Sequence, residues 1–552
     1  MNGLLTFLLF LPLIGALGVL LLPNAAQAAA RWVAVAVGLV QVALSGYLLA
    51  GFDPALIGYQ FTEQTDWITL SLGSLGTVSI DYLVGVDGLS LPLVVLTALV
   101  MLVGAVSSFS IQTNQRAYFA LYLLLQTSVM GCFLALDFFL FFLFFEFMLL
   151  PMYFLIGLWG GQRREYAALK FFLYTLLGSI LILLVMIGLY LSVADPVETA
   201  LSAGLIRSRD AFDGEVLGTV QQLLQTGQLP GAQVVHTFDW RYMTDPGNYL
   251  PGALLGPGVG VELFGLNARA LAFLLLFVGF AIKLPMVPLH TWLPDAHVEA
   301  PTPVSVVLAG ILLKIGGYGF LRIAYDLFPD AAVAYAPWLG GLGVLSIAYG
   351  ALNALAQTDL KRLIAYSSVS HMGFVLLGVA SLTAEGLNGA IFQMVSHGVL
   401  SAMLFLLAGV LSDRTHDRTI KNYRGLASRM PAFAGLTAVA FFASLGLPGF
   451  SGFIGELFSL MGGFNSLYLP VWMVGVGALG LVLGAGYFLW ALQRMFFGPF
   501  FSRHDSGLLP DLTARERLLL VPLGVLSLIL GIFPNLIFSL TEGWVSDLLK
   551  KF

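Results

Sequence analysis

Residues 138–159 read FFLFFLFFEFMLLPMYFLIGLW, and their only charged side chain is Glu146. An α-helix rises about 1.5 Å per residue, so a run of this length spans the roughly 30 Å hydrocarbon core of a bilayer. Comparable apolar runs recur along the chain between short polar breaks. This pattern is typical of a protein that crosses a membrane many times.

The composition supports the same interpretation. Of the 552 residues, 59% are hydrophobic and only 10% are charged, against roughly 25% in soluble proteins, which excludes a water-soluble enzyme. The single cysteine, Cys132, excludes an internal disulfide framework, a four-thiolate iron-sulfur cluster and a thiolate zinc site. The net charge of -5 comes with no basic tract, so nothing indicates nucleic-acid binding.

The apolar runs predict about fourteen transmembrane helices in an all-α bundle, because helices satisfy their own backbone in lipid and the runs lack the alternation of barrel strands. The predicted spans are 4–22, 32–50, 89–109, 117–136, 138–159, 167–193, 270–289, 301–325, 334–356, 362–381, 386–411, 431–460, 468–496 and 516–540.

Lysine and arginine are divided unevenly between the two sides of this map, sixteen against seven. The larger set is Arg31, Arg116, Arg163, Arg164, Lys170, Lys361, Arg362, Arg414, Arg418, Lys421, Arg424, Arg429, Arg494, Arg503, Arg515 and Arg517. The smaller set is Arg207, Arg209, Arg241, Arg269, Arg322, Lys550 and Lys551. Cytoplasmic loops carry the basic excess, so we expect both termini on the non-cytoplasmic side.

The segment 194–266 interrupts the regular succession of helices. It is rich in glycine, proline, glutamine and acids, which predicts a long loop on the non-cytoplasmic side. Within it, residues 213–226 place Val216, Val220, Leu223 and Leu224 on one face of a short surface helix. A substrate-binding role and a lineage-specific insertion both fit such a loop, and we favour the insertion.

Four charged residues lie inside apolar runs. Lys283 and Lys314 are the basic residues left after both sides are counted, and Glu146 and Glu456 are the acidic ones. Each costs roughly 2.5–3.5 kcal/mol at mid-bilayer, so such residues are by default candidates for an ion path. A Glu146–Lys283 pair would act as a two-state switch, because weakening it lets the lysine release a proton. Two structural ion pairs are the alternative.

Proline and glycine interrupt two predicted spans beside these charges, in helices 7 and 12. In AIKLPMVPLH, two prolines leave the carbonyls of Ala281 and Leu284 without helical partners next to Lys283. In GLPGFSGFIGE, Pro448 interrupts the helix one to two turns before Glu456. Paired broken helices favour a transport path at the membrane midplane, with ordinary proline kinks as the alternative.

Two histidines lie between these breaks, His371 in YSSVSHMGF and His397 in FQMVSHGVLSAM. A neutral imidazole accepts a proton on one nitrogen and releases another from the second. We interpret the pair as a relay between Lys314 and Glu456, and hydrogen-bonded packing histidines are the alternative.

Gly475, Gly477 and Gly480 match the GxGxxG spacing of dinucleotide sites. They lie inside an apolar run with no preceding strand, so they predict a small-residue surface for helix packing.

His290, Asp295 and His297 in HTWLPDAHVEAPTP present metal-ligand side chains. The proline-broken loop around them favours hydrogen-bonded loop closure over a metal site. The spacing of the membrane histidines does not indicate paired axial ligands of a haem.

Three stretches together carry a family resemblance: AIKLPMVPLHTWLPDAHVEAPTPVSVVLAGILLKIGGYG, DLKRLIAYSSVSHMGF and LPGFSGFIGE. Their order and spacing resemble the antiporter-like subunits of respiratory complex I, and most of all the M-type subunits. The resemblance implies two inverted five-helix repeats, helices 4–8 (about 117–325) and 9–13 (about 334–496). It also implies a proton relay made of Glu146, Lys283, Lys314, His371, His397 and Glu456.

The same resemblance implies a proton-translocating subunit of an NADH:quinone oxidoreductase in a bacterial cytoplasmic membrane. FMN, iron-sulfur clusters, NADH and quinone would bind to partner subunits and none to this chain. The partners implied are L-type and N-type antiporter-like subunits, which resemble each other in carrying lysine where this chain has Glu456, and small helical subunits. A multisubunit sodium/proton antiporter is similar in the same motifs and is the alternative; a hydrogenase-linked or cyanobacterial-type complex also stays open.

Overall fold

The computed structural model describes residues 3–71, 77–504 and 509–552, and most of them form helices. The apolar helices are α1 (Leu4–Leu20), α2 (Ala30–Gly51), α3 (Ser90–Ser107), α4 (Gln115–Leu134), α5 (Phe138–Trp159), α6 (Arg164–Tyr190), α7 (Ala268–Lys283), α8 (Trp292–Glu299), α9 (Thr302–Tyr325), α10 (Pro329–Leu355), α11 (Leu360–Ala380), α12 (Ala384–Thr415), α13 (Pro431–Ser444), α14 (Ser451–Asn465), α15 (Val471–Phe496), α16 (Ala514–Ile532) and α17 (Asn535–Leu549).

Among the described residues, ten helices are long and apolar enough to cross a membrane, and the bent pair α16 and α17 makes up to eleven. Shorter helices stand at the other predicted spans: α1 at the first, α7 and α8 at the seventh, and α13 and α14 at the twelfth. The prediction of a multi-pass helical membrane protein is therefore confirmed.

Three predicted spans differ from the structure. The span 270–289 ends at Lys283, because Pro285 cannot continue the helix. The span 431–460 is divided after Ser444. The span 516–540 bends by 61° between α16 and α17, where Pro534 precedes the new helix.

The prediction of an all-α chain misses a β-hairpin. Strands β1 (Gln60–Ser71) and β2 (Thr77–Val86) pair antiparallel, and β3 (Val235–His236) joins β2 in parallel. Two further two-stranded ladders are β4 (Glu262–Leu263) with β5 (Leu266–Asn267), and β6 (Tyr423–Arg424) with β7 (Phe501–Ser502). The strands lie outside the helical bundle, and β-branched and aromatic residues favour them locally.

The loops that carry the larger set of basic residues meet on one face of the bundle, which we name the basic face. There the Gly161 amide donates to the Glu299 carbonyl, and the Leu360 amide donates to the Arg418 carbonyl. The opposite face, which we name the terminal face, holds both ends of the chain: Leu5 N–H bonds Glu63, and Lys551 pairs with Asp326. These contacts join the basic loops to one another on the basic face and join both chain ends to segments of the terminal face.

Helices α9 and α12 form the centre of the bundle, because every residue of their most apolar windows is buried. They approach closely at Gly310 and Gly398: a Cβ on Gly398 would stand 2.9 Å from the Gly310 carbonyl oxygen. Small residues allow such backbone contact between helices in a membrane. The side chains that α9 and α12 carry are therefore surrounded by protein and not by lipid.

The segment 194–266 folds on the terminal face around a small core of its own, which includes Val220 and Leu224. The helix predicted at 213–226 is present as Gly214–Gln225. The remaining short helices of the segment are Pro196–Ser202 and Trp240–Met243. The segment packs on the bundle through β3.

The structure corrects the location of Arg322, which the sequence map counted on the terminal side. Arg322 lies in α9 with its side chain 1% exposed, and its Nη2 donates to Asp87 Oδ2 at 2.5 Å. The Tyr59 and Tyr318 hydroxyls lie 3.4 Å from the guanidinium. A buried cation therefore exists beyond the predicted Lys283 and Lys314, and it is neutralised by a carboxylate.

We expect Asp87→Asn to destabilise the protein by about 3–5 kcal/mol, because it leaves the buried Arg322 charge unpaired. The carboxylate of Asp87 also caps α3, and asparagine keeps that capacity. Thermal unfolding of the detergent-purified protein measures the effect. The matched control is Asp547→Asn, which removes an exposed pair with Lys550 and should change stability by at most about 1 kcal/mol. Equal losses in both variants would contradict the assignment.

The pH dependence of the 194–266 segment gives a second prediction. Burial raises the pKa of Asp195 from 3.8 to about 7, and the charges of Asp239, Glu198 and Asp81 raise it further. The unfolded segment therefore loses its proton first, and stability falls between about pH 4 and pH 7, by up to about 1.4 kcal/mol per pH unit, and is constant above. Asp195→Asn should abolish this slope and preserve the cap on Pro196–Ser202.

Amide hydrogen exchange of residues 196–202, corrected for intrinsic rates, measures this slope between pH 5 and pH 8. Asp213→Asn is the control, since Asp213 caps Gly214–Gln225 from an exposed position. A slope that persists in Asp195→Asn would show that another group titrates.

Candidate proton relay

The first break lies directly after Lys283, the last residue of α7. The Ala281 carbonyl, predicted to be free, accepts the Met286 amide at 2.9 Å. The neighbouring Ile282 carbonyl accepts the Trp292 indole N–H at 2.8 Å. Both carbonyls therefore have hydrogen-bond partners, which corrects the expectation of an open carbonyl at Ala281.

Lys283 is buried, with only 2% of the residue exposed. Its ammonium lies 4.1 Å from the centre of the Phe145 ring. Neither Lys283 Nζ nor Glu146 Oε1 has a hydrogen-bond partner within the described part of the chain. No salt bridge joins Glu146 to Lys283 among the described residues, so the predicted ion pair is open in this structure.

Gly316 lets α9 pack against the end of α7. A Cβ at this position would stand 2.6 Å from the Leu284 amide nitrogen, 2.8 Å from the Phe280 carbonyl oxygen and 3.0 Å from Lys283 Cβ. Two of these atoms belong to the backbone and cannot rotate away. Gly316 therefore holds Lys283 beside the helix that carries Lys314.

Lys314 contacts the central helices through two partners. Its Nζ donates to the Ala309 carbonyl at 2.5 Å and lies 2.7 Å from His397 Nδ1. A π-helical segment, Leu308–Leu312, precedes the lysine, and such segments are frequent at functional sites. Lys314 therefore contacts His397 of α12 directly.

His371 continues this series of contacts. Its ring centre lies 5.4 Å from that of His397, and its Nε2 lies 3.0 Å from the Ser444 carbonyl oxygen and 3.5 Å from Glu456 Oε1. A carbonyl only accepts, so Nε2 carries the hydrogen and Nδ1 is the acceptor. His371 thus bridges His397 and the second break.

Glu456 lies in the second turn of α14 and is 3% exposed. Its Oε2 has no hydrogen-bond partner among the described side chains and backbone, and it lies against Gly446 in the loop between α13 and α14. The structure therefore joins four predicted residues in one line of contacts, Lys314, His397, His371 and Glu456. Glu146 and Lys283 stand next to this line and do not touch it.

The residues assigned to loop closure have different surroundings. Asp295 closes loops as expected, with salt bridges to Lys170 at 2.7 Å and Arg362 at 3.2 Å. His297 does not, since both ring nitrogens lack a partner in the described residues. This corrects the structural role predicted for His297.

No group of three or more His, Cys, Asp or Glu residues within 3–71, 77–504 and 509–552 is arranged to hold a metal ion.

The glycines of the GxGxxG pattern pack partly as predicted. Gly480 lies against Ile347 of α10, whereas Gly475 meets open space.

Comparisons with known proteins identify the family of the chain. The family model described as NADH:quinone oxidoreductase/Mrp antiporter, TM matches residues 135–211 and 261–483. The chain belongs to this family. The match includes all six relay residues and omits most of the segment predicted to be an insertion.

Curated relatives cover the whole chain. It is 39% identical over 556 residues to NADH-quinone oxidoreductase subunit M of Rhodobacter capsulatus, covering 100% of the chain and 97% of the relative. It is 39% identical to NAD(P)H-quinone oxidoreductase chain 4 1 of Synechococcus elongatus, covering 96% and 89%. These relatives have nearly the same length as the chain.

Solved structures of the family share the fold. A chain of respiratory complex I from Thermus thermophilus superposes with a TM-score of 0.76 at 30% identity, covering 99% of both chains. A chain of the Mrp complex from Dietzia sp. superposes with a TM-score of 0.74 at 22% identity, covering 99% and 97%, which shows likeness of fold alone.

Gly316→Ala tests the close contact between α9 and the break. The added Cβ meets backbone atoms at 2.6–2.8 Å, so we expect a loss of about 1–3 kcal/mol of stability from overpacking. Gly435→Ala in α13 is the control, because a Cβ there meets nothing within 4 Å and alanine favours a helix by up to about 1 kcal/mol. Thermal unfolding of both purified variants decides, and an unchanged Gly316→Ala midpoint would disprove the packing argument.

Proposed function

We propose that this chain is a proton-translocating membrane subunit of an NADH:quinone oxidoreductase, of the subunit M type. The observation that carries the proposal is the continuous line from Lys314 through His397 and His371 to Glu456. Its members are buried, and the contacts along it are 2.7 Å from Lys314 to His397 and 3.5 Å from His371 to Glu456. Full-length similarity to subunit M relatives supports the proposal.

The chemistry of the line follows from its donors and acceptors. The Lys314 ammonium donates a proton to His397 Nδ1, and the other ring nitrogen of His397 then releases a proton toward His371. His371 accepts on Nδ1 and gives up the hydrogen on Nε2, which lies 3.5 Å from Glu456 Oε1. Each ring returns to the neutral form, so one proton leaves the lysine and one reaches the glutamate.

Glu146 and Lys283 would control this line. Among the described residues, the Lys283 ammonium has no hydrogen-bond acceptor and lies over the Phe145 ring, and a buried cation without a paired carboxylate responds strongly to a nearby charge. Movement of Glu146 toward the ammonium would hold the proton on Lys283. Movement away would release it toward Lys314, on the neighbouring face of α9.

The energy would come from partner subunits. Transfer of one charge against 100 mV costs about 2.3 kcal/mol. In this proposal, partners that bind FMN, iron-sulfur clusters, NADH and quinone carry out the redox reactions. L-type and N-type antiporter-like subunits and small helical subunits would flank the chain.

In this proposal, the chain lies in a bacterial cytoplasmic membrane with its basic face on the cytoplasmic side, since basic residues are retained there. Both termini and the segment 194–266 would then be non-cytoplasmic. The breaks at 284–291 and 445–450 would occupy matching places in two inverted repeats, about 117–325 and 334–496.

A multisubunit sodium/proton antiporter is the alternative function, and the fold of the Mrp complex is similar. The two functions differ in their energy source. Sodium-dependent proton flux in vesicles that lack NADH would favour the antiporter, whereas proton uptake that requires NADH and quinone supports our proposal.

Glu456→Gln in the intact complex is the direct test. The amide cannot take up the proton that His371 releases, so we expect NADH-driven proton uptake into inverted vesicles to fall by about tenfold or more, as an added barrier of about 1.4 kcal/mol would produce. Glu542→Gln, the same change at an exposed position of α17, should leave uptake unchanged. Wild-type uptake in Glu456→Gln would refute the relay.

A further inference from the structure

The segment 194–266 contacts the start of α5, in addition to its pairing through β3. The Phe138 amide donates to the Phe238 carbonyl at 2.8 Å. The Trp240 amide donates to the Leu136 carbonyl at 3.2 Å. The backbone that leads into α5 is therefore hydrogen-bonded to the segment on the terminal face, and the side chains of the segment lie against the first turns of α5.

Trp240 is the side chain of the segment that packs most deeply on α5. Only 1% of the residue is exposed, and the centre of its ring lies 5.7 Å from that of Phe141 and 6.3 Å from that of Phe138. Its Nε1 has no hydrogen-bond partner in the part of the chain that the structure describes, although a buried indole N–H usually has one. Trp240 therefore contributes its ring here and not its polar atom.

The ring contacts continue from Phe141 to the Lys283 ammonium. Phe141 and Phe145 lie one turn apart on α5, with their ring centres separated by 5.7 Å. The Lys283 ammonium lies 4.1 Å from the centre of the Phe145 ring. We name Trp240, Phe141 and Phe145 the aromatic column. It joins the segment on the terminal face to the Lys283 ammonium through three successive contacts, each within the range in which aromatic pairs or cation-π pairs attract.

Helices α7 and α9 enclose the aromatic column from the sides. Phe280 of α7 stands edge-on to Phe145 at 6.1 Å, with an angle of 89° between the rings. Phe141 lies 6.4 Å from Phe280 and 6.3 Å from Tyr318 of α9. Because protein interiors are close-packed, a ring in this set moves only when a neighbouring ring leaves space. Trp240 is the member of the aromatic column that lies outside the bundle helices.

We propose that Trp240 is a positioning residue of the relay, which keeps the face of Phe145 on the Lys283 ammonium through the aromatic column. The inference rests on the proposed function, in which Lys283 holds and releases a proton, and it gives the segment 194–266 a role in that step. The ring quadrupole stabilises a cation over its face, so displacement of Phe145 weakens the hold of Lys283 on its proton. The segment thus adjusts from the terminal face how readily the lysine releases its proton.

The test measures NADH-driven proton uptake by the intact complex in inverted vesicles as a function of pH. Trp240→Leu leaves space beside Phe141, and neighbouring side chains relax into such space. We expect the alkaline limb of the uptake profile to shift to lower pH by about one unit, the order that weakening of a desolvated cation-π contact produces. Trp240→Phe keeps an aromatic ring and removes an N–H that has no partner, so it should retain the wild-type profile.

A second change separates the cation-π contact from packing. A trifluorinated phenylalanine in place of Phe145 has nearly the same shape but an electron-poor face, so it should also shift the alkaline limb to lower pH. In Trp240→Leu the face of this ring is already displaced. The two changes together should therefore shift the limb no further than the larger single change, because changes that act on one contact are not additive.

Phe238→Leu is the matched control. Phe238 belongs to the same segment and is also buried, and its ring contacts Phe139 of α5 at 5.7 Å and Tyr190 of α6 at 4.5 Å. None of these rings belongs to the aromatic column. The control loosens the segment without removing a ring from the column, so it should keep the wild-type profile. An equal shift in Phe238→Leu or in Trp240→Phe would contradict the inference.

The remaining outcomes distinguish this inference from the proposed function. A wild-type profile in Trp240→Leu, additive shifts, loss of uptake at every pH without a shift, or no effect of fluorination each overturn the positioning role and leave the proposed function standing. Wild-type uptake in Glu456→Gln overturns the proposed function instead. If Trp240→Leu does not assemble, Phe141→Leu interrupts the aromatic column inside the bundle with the same expected shift. Failure of both to assemble, while Phe238→Leu assembles, would mean that the rings act by packing alone, which also overturns the positioning role.

Discussion

The structure depends on one constraint: a cation buried in a membrane protein must be solvated by the protein itself. Three buried cations of the bundle meet this constraint in different ways. Arg322 has a carboxylate at 2.5 Å, Lys314 has a carbonyl and an imidazole, and Lys283, which has no hydrogen-bond acceptor in the described part of the chain, lies over the face of an aromatic ring. A desolvated cation-π contact contributes about 2 kcal/mol, less than a close ion pair in the same surroundings. Lys283 is therefore the least compensated cation and the one whose proton is most sensitive to a movement of charge.

The backbone provides the places where this solvation is possible. Helix α7 ends at Lys283. In its last turn, the Ala281 carbonyl accepts the Met286 amide and the Ile282 carbonyl accepts the Trp292 indole N–H. Glycines at 310, 316 and 398 bring α9 against its neighbours at backbone distance, so that the central helices are removed from lipid. Without this close packing the lysines would face hydrocarbon, where each costs roughly 2.5–3.5 kcal/mol. Helix breaks and small residues thus have one common effect, a polar interior within an apolar bundle.

The helical spans can be predicted from the sequence because they are the apolar runs themselves. The six candidate relay residues are noticed because each is a polar residue inside such a run. Residues near the ends of the spans, and strands between the spans, do not stand out in this way and cannot be assigned from the sequence. Asp87 stands just outside a predicted span, and Arg322 stands near the end of another, so both looked like loop residues until the fold brought them together. The β1–β2 hairpin lies between spans, where hydropathy has no resolving power, although its Val, Ile, Thr and Tyr content favours strands. The prolines near His297 in the sequence favour loop closure. Only the structure shows that its ring stacks on Phe405 and that neither ring nitrogen has a hydrogen-bond partner among the described residues.

Arg322 also explains why the line of contacts passes from Lys314 of α9 to His397 of α12 and does not continue along α9. Lys314, Tyr318 and Arg322 follow one another at intervals of four residues on the same helix, which would offer a direct path to the terminal face. A guanidinium does not give up its proton in a protein, so Arg322 cannot pass a proton onward. The Arg322–Asp87 pair therefore closes the end of α9. A proton on Lys314 has its nearest acceptor in His397 at 2.7 Å, and the route through His371 to Glu456 is the one on which every group can both accept and release a proton.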